Sequence, residues 1–321
     1  MIGSRGGERM SISVIIPTRN AEKYMHNLLD RLTNQTKPIK EIIVIDTASK
    51  DKTREICESY DCVKFIQIND GEFDHGGTRN RAARQANGDI LVFMTQDAIP
   101  EDEHFLEELV KPLGNNQICA TYGKQVAREE AGPLEVFARK FNYPDEDLIK
   151  SSNDIDRLGV KAFFLSNVCS AFIAEEFWKV GGFPEQTIMN EDMIIASKLL
   201  FDNKKVCYAS KARVIHSHSY TYMQQFKRNF DVGVVFVDSS HYFNGVKSES
   251  EGVKYVKQSA KYLVRIGKWY LIPHLIIDSG FRFLGYKAGK SYKKIPMKLV
   301  KKMSMHSFYF NNKENKEVGA V

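Results

Sequence analysis

Several features that would place a chain in a special class are missing here. The five cysteines, Cys57, Cys62, Cys119, Cys169 and Cys207, form no CxxC pair and no metal-ligand spacing. An odd, scattered set reads as reduced thiols of a cytoplasmic protein, not as a secreted disulfide scaffold. No run reaches the roughly 18–20 apolar residues of a membrane span. The nearest, WYLIPHLIIDSGFRFLGY at 269–286, is interrupted by Pro273, Asp278 and Arg282. Residues 1–9, MIGSRGGER, lack the apolar centre of a secretory signal and read as a flexible leader before Met10. No Gly-rich phosphate loop with an activating lysine follows the first apolar run, which weighs against nucleotidyl transfer. Nucleic-acid recognition motifs, internal repeats and low-complexity tracts are absent too. What remains is a 321-residue chain of ordinary apolar content, enough for one large domain or a catalytic domain with an appendage.

What is present begins with alternation. Ile/Val-rich runs at 11–17, 41–46, 63–68 and 89–94 are separated by segments with helical spacing. Continuous apolar strands of this kind are buried on both faces, as in a parallel sheet with helices on either side. The fold class predicted is therefore α/β, with a doubly wound, mostly parallel central sheet and a Rossmann-like nucleotide half. Ligands of such sheets bind beyond the carboxyl ends of the strands. Each predicted strand delivers a polar group there: Pro17, Thr18 and Arg19 after the first, and Asp46 after the second. The third leads into FDHGGTRN, and the fourth ends in Thr95, Gln96 and Asp97. Any one of these suits a turn or cap; all of them at one rim point to a ligand site.

The segments ISVIIPTRN, EIIVIDTASKDKT, GGTRNRAA, GDILVFMTQDAIP and NEDMIIASKLL, in this order and spacing, resemble the inverting family 2 glycosyltransferases of the GT-A fold. The resemblance covers about residues 10–230, leaving 231–321 as a helical, basic C-terminal region. FDHGGTRN and TQDAIP are similar to the bacterial dTDP-rhamnosyltransferases of O-antigen, capsule and cell-wall polysaccharide biosynthesis. The resemblance implies transfer of L-rhamnose from dTDP-L-rhamnose to a lipid-linked glycan. Two alternatives stand beside it: the same reaction with a UDP-hexose or UDP-HexNAc donor, or a non-catalytic nucleotide-sugar-binding protein at the membrane.

The resemblance also assigns roles. Asp46 accepts the N3–H of a uracil or thymine base. Arg79 lies near the nucleotide, and an arginine at a glycine-flanked helix start suits phosphate. Asp74, His75 and Gly76 stand beside it with no general family role; they are candidates for reading the sugar or the base. Asp97 falls on the second acid of the family's D-x-D motif, while Thr95 replaces the first. Mg²⁺ or Mn²⁺ often takes only one or two carboxylates when substrate phosphates complete its shell, so Asp97 alone can suffice. His216 and His218 alternate on a strand-like segment and therefore face one way, and one of them is expected to join the metal. In NEDM, Asp192 matches the catalytic base, with Glu191 supporting it or orienting the acceptor. The same two acids also suit the first turn of a helix. Gln225 and Arg228 echo the Q-x-x-R-W motif of processive members, but Asn229 replaces the tryptophan, so a single or short-run addition is expected. Arg228 remains a candidate diphosphate contact.

The C-terminal region carries the charge. Residues 253–303 hold 13 Lys or Arg and one acid, Asp278, a local +12 in a chain whose net charge is +6. Lys254, Lys257, Lys261, Arg265 and Lys268 step by three or four, which makes one helical stripe. With Trp269, Tyr270, Phe281, Phe283 and Tyr286 close by, the pattern suits an anionic membrane surface. The expected setting is peripheral, on the inner face of the bacterial plasma membrane, near a polyprenyl-diphosphate-linked acceptor. Packing on the catalytic domain or in a homo-oligomer is the competing use of that face, and nucleic acid is not an expected partner.

Overall fold

The computed structural model describes residues 10–243, 246 and 250–311. The leader at 1–9 lies outside the described residues. The Ile/Val-rich runs form β1 (Ile12–Thr18), β2 (Glu41–Thr47), β3 (Val63–Ile68) and β4 (Ile90–Met94), joined by α1 (Glu22–Thr33), α2 (Thr53–Glu58) and α3 (His75–Ala83). These four strands pair in parallel in the order β3-β2-β1-β4. Successive residues of a strand point to opposite faces, and here they feed two separate cores. Ile15, Ile43 and Phe93 enter one; Val14, Ile16, Val44 and Val92 enter the other. Asp51 ends the loop before α2 by accepting the N–H of Thr53 at 3.1 Å, while Ser49 turns to Asp46.

Beyond β4 the sheet becomes mixed. The chain continues through β5 (Ile99–Pro100), α4 (Phe105–Val110), β6 (Ile118–Val126), α5 (Pro133–Asn142), β7 (Leu148–Lys150), α6 (Ile155–Leu158), β8 (Cys169–Ile173), α7 (Ala174–Lys179), α8 (Glu191–Phe201) and β9 (Lys205–Ile215). The strand order extends as β4-β8-β6-β9-β5, with β7 also on β9. β8 is antiparallel to both β4 and β6, whereas β6 and β9 are parallel. The parallel pattern read from the first hundred residues thus holds for β1–β4. It ends at β8 because the irregular segment before it returns the chain to the carboxyl end of β4, where Cys169 pairs with Met94.

The remainder is helical: α9 (Tyr222–Asp238), α10 (Ser240–Phe243), α11 (Ser250–Arg265), α12 (Ile272–Lys290) and α13 (Met297–Met303). The boundary expected at residue 230 falls inside α9, which runs through it unbroken. One apolar core spans both sides of that position, joining Phe172 and Phe177 to Phe230, Tyr292 and Phe310. α12 packs on α9 at backbone distance. A Cβ on Gly285 or Gly289 would stand 2.2 and 2.0 Å from the carbonyl oxygens of Phe226 and Phe230. Asp231, fully buried on α9, accepts the N–H groups of Met305 and His306 at 2.9 and 3.2 Å and so pins the last segment of the chain.

The tight seam makes a prediction with opposite signs on one helix. Gly280 of α12 has nothing within 4 Å of where its Cβ would be. Gly280→Ala should therefore stabilise by about 0.5–1 kcal/mol, through helix propensity. Gly289→Ala should destabilise by about 1–3 kcal/mol, because the backbones have to separate. Urea titrations of both variants followed by circular dichroism check the pair.

Candidate active site

The strand order reverses between β1 and β4, the position where open α/β sheets bind ligands. Four strand ends meet at that rim, and the start of β8 joins them because it is antiparallel to β4. Thr18 of β1 lies in register with Asp46 of β2 and donates its hydroxyl to that carboxylate at 2.9 Å. Ser49 adds its N–H at 2.9 Å and its hydroxyl, so Asp46 is fixed as well as buried. Pro17 lies one residue back in β1, opposite Ile45. Gln96 clasps Arg19, accepting its N–H at 2.8 Å and donating to its carbonyl at 3.2 Å. The Arg19 guanidinium pairs in solvent with Asp70 at 2.8 Å.

Past β4, Asp97 is 9 % exposed and meets two imidazoles. Its carboxylate oxygens lie 3.5 Å from Nε2 of His216 and 3.3 Å from Nε2 of His218. Among the described residues, one ligand atom from each of the three falls within 4.8 Å of the others. The rings meet edge to face, with centroids 4.6 Å apart. Two imidazoles and a carboxylate are a donor set that could hold a divalent cation. The Thr95 hydroxyl, at the first position of the D-x-D pattern, is buried and makes no hydrogen bond. Burial, then the charges of Arg139 and its neighbours, push His216 well below the ordinary imidazole range; burial also lowers His218. Both rings are therefore neutral, with lone pairs available.

The second centre is at the first turn of α8. Glu191 is buried in an ion pair with Arg79 at 3.1 Å and accepts the Asn167 side-chain amide at 3.0 Å. Asp192 accepts the backbone N–H groups of Asn167 and Met193 at 3.2 and 2.8 Å. The two carboxyls are pushed apart. Burial acts to raise Glu191, but Arg79, His75 and the Asn167 amide outweigh it and hold Glu191 below the usual range. Burial and then the Glu191 charge raise Asp192 to about 7. One carboxyl held below its usual range beside one raised toward neutrality is the pattern of a general base with its electrostatic partner.

The structure also shows what the remaining candidates meet. Arg79 pairs with Glu191 and also donates to the His75 carbonyl at 2.8 Å, so its charge reaches the carboxyl pair. Asp74 caps α3 by accepting the Gly77 N–H at 2.6 Å. Gly76 is small because the Pro184 carbonyl oxygen would stand 1.9 Å from a Cβ there. His75 packs edge-on against Phe73 and His306, with burial lowering its proton affinity. Arg228 is exposed on α9, and its charge is felt at His75, His216, His218 and His306 alike. Gln125, Arg139 and Asn167 went unnoticed in the sequence: they lie in no motif, and only tertiary packing brings Gln125 of β6, Arg139 of α5 and Asn167 before β8 to these contacts.

A nucleotide-type sheet rim, a cluster of one carboxylate and two imidazoles, and a coupled carboxyl pair at the start of α8 suit a nucleotide-sugar-dependent glycosyltransferase of the GT-A type. The chain belongs to glycosyl transferase family 2, whose family model matches residues 13–181. It is 38% identical over 307 residues to the O-antigen chain rhamnosyltransferase RfbN of Salmonella typhimurium, covering 94% of this chain and 97% of that one. The similarity to the O-antigen chain rhamnosyltransferase WbaN of Salmonella anatum is also 38% over 307 residues, covering 94% and 96%. In fold it is similar to the mannosyltransferase PcManGT of Pyrobaculum calidifontis, solved with GDP-Man and Mn²⁺ (TM-score 0.56, 18% identity, 94% of this chain and 85% of that one). It is likewise similar to Staphylococcus aureus TarS solved with UDP-GlcNAc (TM-score 0.53, 19% identity, 89% and 92%).

The split between the two carboxyls has a readable consequence. Because the Glu191 charge helps to raise Asp192, Glu191→Gln should lower the Asp192 pKa. The acid limb of kcat/KM, expected near pH 7 in the parent, should then move to lower pH. A pH–rate profile of both proteins with a saturating acceptor measures the direction.

Proposed function

We propose that the protein transfers L-rhamnose from dTDP-L-rhamnose, with inversion, to a glycan carried on a polyprenyl diphosphate during bacterial surface-polysaccharide assembly. The observation that carries the donor and the setting is the similarity, over nearly the whole of both chains, to the two Salmonella O-antigen rhamnosyltransferases. The site chemistry supports the same reading. Asp46 has roughly four acceptor positions on its carboxylate, and Thr18 and Ser49 use three. One is left for the N3–H of thymine. Asp192 takes the proton of the acceptor hydroxyl as that oxygen attacks the anomeric carbon. The bond from the anomeric carbon to the diphosphate oxygen breaks on the opposite face, and dTDP leaves with the electron pair. A base whose pKa lies near 7 combines a useful ionised fraction with a useful drive to accept the proton. Glu191 stays charged against Arg79 and keeps Asp192 basic. Asp97, His216 and His218 would hold a Mn²⁺ ion, which when bound supplies positive charge to the leaving diphosphate. Arg228 is positioned to add to that charge.

The reading is tested by incubating the protein with Mn²⁺ and an undecaprenyl-diphosphate-linked glycan. dTDP-L-rhamnose, UDP-glucose and UDP-GlcNAc are compared as donors, by nucleotide release and by NMR of the product anomer. Turnover with UDP-sugars alone would sink the rhamnose assignment and leave a transferase. Asp192→Asn should lower kcat by about 10²- to 10⁴-fold while leaving donor KM nearly unchanged. A variant that turns over like the parent removes Asp192 as the base.

Membrane docking belongs to the same reading. No helix among the described residues is long and apolar enough to cross a membrane. Yet among the described residues ten of the fourteen exposed large apolar side chains lie between 253 and 299, so their exposed apolar surface is concentrated on this basic region. Ile276, Ile277, Phe283 and Leu284 form one outward stripe of α12, and Trp269 and Tyr270 stand at the turn before it. Asp278, the lone acid of the region, is held by Arg282 at 2.7 Å. Basic residues near an anionic surface contribute about 1 kcal/mol each. The protein should therefore float with phosphatidylglycerol vesicles and not with neutral phosphatidylcholine, and rising salt should release it. Trp269→Ala combined with Phe283→Asp should abolish flotation with the fold intact. Retained flotation would point to another face.

A further inference from the structure

We infer that Gln125 is a positioning residue: held by Arg139, it locks His216 in the Nδ1–H tautomer and so presents Nε2 as the fixed imidazole ligand beside Asp97. This rests on the metal reading of the Asp97, His216 and His218 cluster. Gln125 is 3 % exposed and is the last residue but one of β6, next to β9, whose last residues lead into His216. The register Val126 to Ile215 continues in a bond from the His216 N–H to the Val126 carbonyl at 2.9 Å, which sets the backbone of the ligand.

The orientation of the Gln125 amide follows from donor and acceptor capacity. An arginine has only N–H donors, and Arg139 NH1 is bonded to Gln125, so the atom it meets is Oε1. The other end, Nε2, faces the hydroxyl oxygens of Tyr143 and Ser166, the latter at 2.9 Å, and its two hydrogens account for both. The amide cannot be turned round without setting donor against donor. Oε1 also lies 3.0 Å from Nδ1 of His216. A carbonyl oxygen carries no hydrogen, so Nδ1 carries it. In the neutral ring the lone pair is then on Nε2, which faces Asp97. A second partner that fixes the ligand tautomer in this way is the usual companion of a metal-bound histidine. His218 has no such clamp among the described residues and is exposed, which makes it the more adaptable of the two.

Two measurements test the assignment. Long-range ¹H–¹⁵N NMR of the native, metal-free protein should show His216 protonated at Nδ1; protonation at Nε2 overturns the clamp whatever the variants do. Mn²⁺ binding, read by the EPR signal of the free ion with dTDP present, should weaken about 10- to 100-fold in Gln125→Leu, which keeps volume and loses the acceptor. Gln125→Glu keeps an acceptor toward both Arg139 and His216 and should recover most of the affinity. The transfer reaction of Gln125→Leu should need more Mn²⁺ but regain kcat when Mn²⁺ is saturating. A folded Gln125→Leu protein that binds Mn²⁺ like the parent refutes the role. A parent that binds no Mn²⁺ refutes the metal reading itself, and the NMR result then shows whether the tautomer lock survives without it.

Discussion

The buried pair of Arg79 and Glu191 is the interaction on which the site depends. It joins α3, which follows β3, to α8, which carries Asp192. Removing one partner of such a pair costs about 3–5 kcal/mol, since the other is left charged and unsolvated. That makes the pair a poor place to gain stability and a strong way to fix two helices relative to each other. Its electrical effect matters equally. Arg79 holds Glu191 ionised, and the ionised Glu191 is part of what raises Asp192. Scaffold and base strength are thus set by the same two side chains.

A second constraint comes from strand direction. Had β8 entered the sheet parallel to β4, Asn167 would lie at the far rim. Entering antiparallel, it bonds Glu191 with its side chain and Asp192 with its backbone. The parallel pairing of β6 with β9 does the same for Gln125 and His216. The metal cluster and the carboxyl pair therefore rest on two different strand pairings that share one sheet. The helices α9 and α12 close the construction, and their glycine seam keeps the basic, apolar outer face attached to α9, the helix that carries Arg228.

With Thr95 at the first position of the D-x-D pattern, the neighbours that Asp97 meets are His216 and His218, which lie just past β9 and more than a hundred residues later in the chain. Their placement beside Asp97 depends on the second half of the sheet.

The sequence by itself determined the parallel strands β1–β4, the helices between them and the amphipathic basic tail, and its motifs named Asp46, Asp97, Asp192 and the two histidines as candidates for the site. Local chemistry is enough for that: apolar runs make buried strands, acids after strands mark rims, and a motif keeps its order. The tertiary structure alone decided what each polar group meets. Arg79 found a carboxylate, Asp74 found its own helix, Gly76 met a carbonyl, and Gln125, Arg139 and Asn167 arrived from segments with no motif. The physical reason is that proton affinity and ligand geometry are set by burial and by neighbours a few ångströms away. Those neighbours are fixed by strand direction and register, which composition and spacing along one chain do not encode.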